Sequence, residues 1–119
     1  MTTNSTEQTK KQDFDHSFVH TVFFWLKNPE NKEDRTKFET ALSKLLKDSK
    51  YAKTNFMGTP PAASRDVVDG SFTYCLLVTF ESPQAQDNYQ SEEAHLTFID
   101  EAKDLWEKVQ VYDAKGLLN

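Results

Sequence analysis

Four side chains in this 119-residue sequence could share chemistry: His20, Tyr74, Tyr89 and His95. An imidazole titrates near neutral pH and suits proton abstraction from a carbon acid, and a phenol beside it can help hold the proton. His20 lies in an apolar run, sharing a face with Val22, Phe24 and Leu26. A lone histidine in such company is usually a hydrogen-bonded core residue. His95 changes that balance, because its helical stretch packs over the same strands. Two imidazoles under one helix–sheet roof, with Tyr74 and Tyr89 near them, would line a small cavity. The third histidine, His16, sits at the junction with a polar N-terminal segment and reads as solvated.

Other chemistry is not marked. The three histidines lack the His-x-x-x-His or cysteine-rich spacing of a metal site. Gly58, Gly70 and Gly116 are isolated, so no glycine-rich phosphate loop is present. No Ser/His/Asp arrangement can be read. Cys75 is the single cysteine; it excludes an internal disulfide and reads as a small core residue rather than a nucleophile. Arg65 and Asp66 read as a surface pair. The expectation is therefore no metal and no cofactor.

These side chains need elements to hold them. Residues 18–27 are nearly all apolar, rich in aromatic and β-branched types, and stopped by Asn28-Pro29. Such a run reads as a strand buried on both faces. Phe18, His20, Val22, Phe24 and Leu26 point one way, and Val19, Thr21, Phe23 and Trp25 the other. Asn31 is a good N-cap, and Phe38, Ala41, Leu42, Leu45 and Leu46 then repeat at three-and-four spacing. This predicts an amphipathic helix over residues 32–47. Residues 51–59 read as a weak edge strand before Pro60-Pro61. A loop follows over 61–70, with a short extended piece at 65–68. Residues 71–81 form the second strong strand, again apolar on both faces. Ser82 and Pro83 start a helical region over 83–104, broken near 90–92. Val109 and Val111 alternate with polar residues in a last strand ending about residue 114.

The order β-α-β-β-α-β is the split βαβ, ferredoxin-like pattern, an α+β fold: a four-stranded antiparallel sheet with two helices on one face. Its first and third strands are central and are the two with apolar residues on both faces. The helices cover one face. Val19, Phe23, Trp25 and Leu77 would leave the other apolar, and the simplest cover is the same face of a second subunit across a two-fold axis. Burying about 600 Å² of apolar surface per subunit is worth on the order of 15 kcal/mol before association costs. The expectation is a homodimer closing into an α/β barrel.

Composition bounds the rest. Residues 1–15 are an expected disordered tail, with no large apolar residue between Met1 and Phe14, and residues 16–119 form one domain. A net charge of −5, with lysines interleaved with acids, argues against nucleic acid and anionic membrane partners. No apolar leader or transmembrane run is seen, so a cytoplasmic location is expected.

Four stretches together resemble the stress-responsive A/B barrel (Dabb) family. They are His20-Thr-Val-Phe-Phe-Trp-Leu-Lys27 on the first strand, Phe72 to Ser82, Tyr89 with Ala94-His95, and Trp106-Glu-Lys-Val-Gln-Val-Tyr-Asp113. The likeness spans about residues 18–114 and implies a dimeric α+β barrel. The family includes plant stress-responsive proteins and a plant polyketide cyclase that performs an intramolecular aldol condensation. Carried over by motif, the catalytic base is His95 and its helper Tyr89. The ligand site implied is His20 and Tyr74, with Phe38 and Trp106. Three positions depart from the cyclase pattern. Tyr74 stands where a pocket histidine is expected, Ala41 replaces a tyrosine, and Ser91-Glu92-Glu93-Ala94-His95 lacks the usual proline. The cyclase's substrate is therefore not transferred.

Two functional classes follow. One is a homodimeric module that binds a small hydrophobic ligand or is associated with stress, without catalysis. The other is a cofactor-independent, cyclase-like lyase using His95 as general base. A monooxygenase of a related dimeric barrel is a third reading, with no cofactor site to mark it. The first two differ in whether a void of a few hundred Å³ reaches His95 and His20.

Overall fold

A computed structural model describes residues 14–117. The expected N-terminal tail lies outside them except for Phe14 and Asp15. The elements run β1 (Phe18–Leu26), α1 (Lys32–Asp48), β2 (Asn55–Gly58), β3 (Tyr74–Phe80), α2 (Pro83–Ser91), α3 (Glu93–Ala102), one 3₁₀ turn (Lys103–Leu105) and β4 (Trp106–Lys115). All strands pair antiparallel in the order β2-β3-β1-β4, so β1 and β3 are central as expected.

Local chemistry sets the helix ends. The Asn31 side chain accepts the Asp34 N–H at 2.9 Å, and Glu33 and Asp34 sit in the first turn, where the helix dipole favours acids. Ser82 accepts the Ala85 N–H at 3.0 Å with Pro83 beside it, opening α2. The break falls at Glu92, whose backbone is extended (φ −61°, ψ 146°), inside the expected window.

Alternation decides the faces. Along β1 every second residue from Phe18 to Leu26 is buried, and the residues between are half-buried. Phe38, Ala41, Leu42 and Leu45 of α1 and Phe98 and Ala102 of α3 are buried with that face. On the opposite face lie Val19, Thr21, Phe23 and Trp25, beside Cys75 and Leu77 of β3 and Tyr112 of β4. Phe23 meets Phe72 and Tyr112 edge-on, at 4.9 and 6.1 Å between ring centres. The Lys108 ammonium stands 4.4 Å from the centre of the Trp25 ring. Phe56 and Tyr112 remain 58% and 62% exposed there, so this face stays apolar and open in a single chain.

Three boundaries differ from the sequence reading. β2 is only four residues long rather than spanning 51–59. The Tyr51 and Ala52 N–H groups turn back to Ser49 Oγ, and the hydroxyls of Thr54 and Thr79 bond each other beside the ladder. β3 starts at Tyr74, not residue 71, because the Ser71 N–H is held by Asp69 Oδ1. Residues 65–68 form a turn, closed by Val68 N–H to Arg65 O at 3.1 Å, rather than an extended piece.

Candidate functional site

The helix–sheet interface has two ends, and the expected site residues divide between them. At one end β1 carries His20, α2 carries Tyr89, and His95 lies on the first turn of α3. The Tyr89 ring stands edge-on to both imidazoles, 6.2 Å from His20 and 4.9 Å from His95. Phe80 packs on Tyr89 at 4.9 Å and closes the sheet side. At the other end Phe38 stacks on Tyr74 at 4.7 Å, and Phe24, Phe98 and Trp106 enclose them. The structure thus brings His20, Tyr89 and His95 together and sets Phe38, Tyr74 and Trp106 apart from them.

His20 is tied down. It is directly opposite Asp113 in the β1–β4 register, and its Nδ1 lies 2.5 Å from Asp113 Oδ1. A contact that short needs a proton between the atoms, so Nδ1–H donates to the carboxylate. The buried Gln86 amide also faces this pair: its Nε2 is 3.0 Å from Nδ1 and donates to Asp113 Oδ2 at 3.3 Å. With Nδ1–H already committed to Asp113, the Gln86 donor serves Asp113 Oδ2. The imidazole orientation and tautomer are set by a carboxylate, as in other histidines that act through their second nitrogen. The Asp113 side chain is 39% exposed, so this corner reaches solvent.

His95 is the opposite case. Its Nδ1 is buried and has no hydrogen-bond partner, the one such side-chain atom among the described residues. Burial holds the His95 pKa below the ordinary histidine value, and the charge of nearby His20 acts the same way. The Gln90 backbone and the Glu92 carboxylate oppose this, though Gln90 is not in hydrogen-bonding geometry with Nδ1. Burial thus favours the neutral imidazole, whose Nδ1 is left without a partner. Burial, and secondly the Glu92 charge, push the Tyr89 phenol well above its usual range, so it stays protonated.

Tyr74 serves another purpose. Its hydroxyl donates to Glu39 Oε2 at 2.5 Å, and the Arg35 guanidinium stands 5.0 Å from the centre of its ring. Burial and the Glu39 bond raise its pKa far above a free phenol's. A buried phenol with an acid partner on α1 is a satisfied core group.

None of the principal grooves among the described residues is lined by His20 or His95. A groove of about 610 Å³ runs between the C-terminal half of α1 and the α2–α3 break, walled by Lys44, Asp48, Tyr51, Glu92 and Glu101 among others; neither His20 nor His95 lines it. Among the described residues no cluster of three or more His, Cys, Asp or Glu could hold a metal ion, and no helix is long and apolar enough to cross a membrane.

Sequence reasoning missed Gln86 and Asp113. Asp113 closes the last-strand motif, and its place opposite His20 follows once β1 and β4 are registered. Gln86 is one polar residue on a helix and carries no local signal.

Among solved structures, a hydroxynitrile lyase from Passiflora edulis is similar over 86% of this chain and 94% of its own, at 22% identity and a TM-score of 0.71. A protein from Arabidopsis thaliana matches over 86% and 97% of the two chains, at 22% identity and a TM-score of 0.70. A dimeric ferredoxin-like protein of unknown function from Thermobifida fusca matches over 83% and 90%, at 15% identity and a TM-score of 0.67. At these identities the likeness shows the fold. No curated protein sequence matches. The family model of the stress responsive A/B barrel domain matches residues 18–115, nearly the whole described chain, and the protein belongs to that family.

Proposed function

We propose that the protein is a homodimeric module that binds a small hydrophobic molecule at the His20–Tyr89–His95 corner. The observation that carries this is the buried, partnerless Nδ1 of His95 beside Tyr89. Leaving such an atom unpaired costs about 1–3 kcal/mol, which a ligand with one hydrogen-bonding group and an apolar body would recover. The dimer rests on the open apolar face of β1 and β3, and the Thermobifida fusca relative is described as dimeric.

Two measurements test this. Sedimentation at micromolar concentration should give a dimer, and Phe23→Asp should give a folded monomer; a monomeric wild type removes the assembly. Titration with cyclohexanone, a small apolar carbonyl probe, should shift the His95 imidazole resonances before those of His16. Equal, weak shifts at both would remove the site.

A second reading is favoured by the lowered pKa of His95: a cofactor-independent lyase in which neutral His95 removes a proton from carbon α to a carbonyl, Tyr89 assisting. Deuterium exchange into cyclohexanone at pH 7 should then be accelerated by the wild type and lost in His95→Ala, the dimer being retained. Equal rates in both proteins would discard this reading.

A further inference from the structure

We propose that Glu92 is a positioning residue, a latch that holds the α2–α3 break against the end of α1 and so sets His95 against Tyr89. The proposal rests on the histidine site proposed above and adds a residue that touches no ligand.

Glu92 stands midway between the two residues it would position, three after Tyr89 and three before His95. Its backbone belongs to both helices: its N–H donates to Tyr89 O at 3.1 Å, and its carbonyl accepts the Leu96 N–H at 3.0 Å. Glu92 is the N-cap of α3, but its side chain makes no bond to the first turn of that helix. It reaches across to α1 instead. Oε1 accepts the Ser49 hydroxyl at 2.6 Å, and Oε2 accepts the Lys50 N–H at 2.8 Å. Ser49 is itself fully engaged. Its N–H closes α1 onto Leu45 O at 2.9 Å, and its Oγ accepts the Tyr51 and Ala52 N–H groups at 3.3 and 3.2 Å.

The result is a satisfied network joining the last turn of α1, the start of the chain to β2, and the hinge between two helices. Bonds to an ionised carboxylate are among the stronger ones a half-buried site offers. Without them the break has one backbone bond on each side and no side-chain cap, and α3 could rotate about Glu92. Such rotation moves His95 relative to Tyr89, because the two residues flank the hinge. The carboxylate also acts at a distance, favouring protonation of both neighbours. The groups facing His95 are then His20 from β1, Tyr89 from α2 and Glu92 from the break, with Asp113 of β4 behind His20.

The test uses the full chain and reads geometry rather than turnover. In Glu92→Ala the cross-relaxation between the Tyr89 and His95 rings should disappear while the amide spectrum stays folded. Glu92→Gln keeps a side-chain acceptor; the ring contact should survive, and the His95 titration midpoint should fall because the negative charge is gone. Ser49→Ala removes one of the two bonds and should weaken the contact partway. Exposed Glu93→Ala, an equal charge change without the latch, should leave the contact intact. A folded Glu92→Ala that keeps the ring contact, losing only thermal stability, overturns the proposal. If Glu92→Ala does not fold, an undiminished ring contact in Ser49→Ala overturns it equally. A wild type with no Tyr89–His95 contact would instead sink the histidine site, and this proposal with it.

Discussion

The two ends of the helix–sheet interface solve the same problem differently. Both bury aromatic rings and polar atoms between β1, α1, α2 and α3. At the Phe38 end no buried side-chain polar atom among the described residues lacks a partner: the Tyr74 hydroxyl donates to Glu39, and Arg35 lies against its ring. At the His95 end the answers stop one short. His20 has Asp113, which Gln86 holds in turn, but His95 Nδ1 has nothing. One end is closed chemistry and holds the fold. The other leaves one buried nitrogen without a hydrogen-bond partner, and the ligand site proposed above is built on that difference.

The largest effect is expected at the closed end. Phe38 is fully buried among four aromatic rings, so Phe38→Ala should lower unfolding free energy by about 3–5 kcal/mol in urea. A loss below 1 kcal/mol would mean this end is not the core. Next comes Asp113→Ala, which strands the buried Nδ1–H of His20. A cost of about 1–2 kcal/mol is expected, reduced because Asp113 is partly exposed. Tyr74→Phe should cost about 1 kcal/mol and leave the His95 resonances untouched, showing that the ends are separate. If Tyr74→Phe moves His95, the comparison fails.

The smallest effects sharpen the contrast through protons. The folded-state pKa of His95 is depressed, so below the unfolded value of about 6.5 the unfolded chain binds more protons than the folded one. Its contribution is complete above about pH 6.5 and is lost as pH falls toward the lower folded value. His95→Gln should therefore flatten the acid limb of the stability curve; an unchanged limb would place His95 in water. Tyr74 and Tyr89 should both resist ionisation past pH 10, the ordinary phenol range, as read by phenolate absorbance. That shared response would show that protection from water is common to both ends and that only the hydrogen bonding differs.

Gly116 illustrates a constraint that no pattern announces. A Cβ there would lie 1.7 Å from the His16 carbonyl oxygen, where the chain end crosses the start of β1. Its N–H bonds Ser17 O at 2.9 Å, so the close approach is itself part of the sheet's end. In the sequence Gly116 is one of three isolated glycines with nothing to set it apart.

What the chain determined by itself is everything that repeats locally. Alternation along residues 18–26 assigned His20 to the helix-covered face and Phe23 and Trp25 to the open one, because strand side chains have period two. Asn31, Ser82 and Pro83 announced their helices, because capping is settled within three residues. The pairing of His20 with Tyr89 and His95 followed from element order and family resemblance. What only the tertiary structure decided is where the polar atoms end. Asp113 lies 93 positions from His20, Gln86 66 from it, and Glu92 43 from Ser49. Contacts at such separations leave no periodic trace, since they depend on strand register and helix rotation. The same reason explains Tyr74: its face was legible, but its hydroxyl's turn toward Glu39, away from the histidines, was decided by packing.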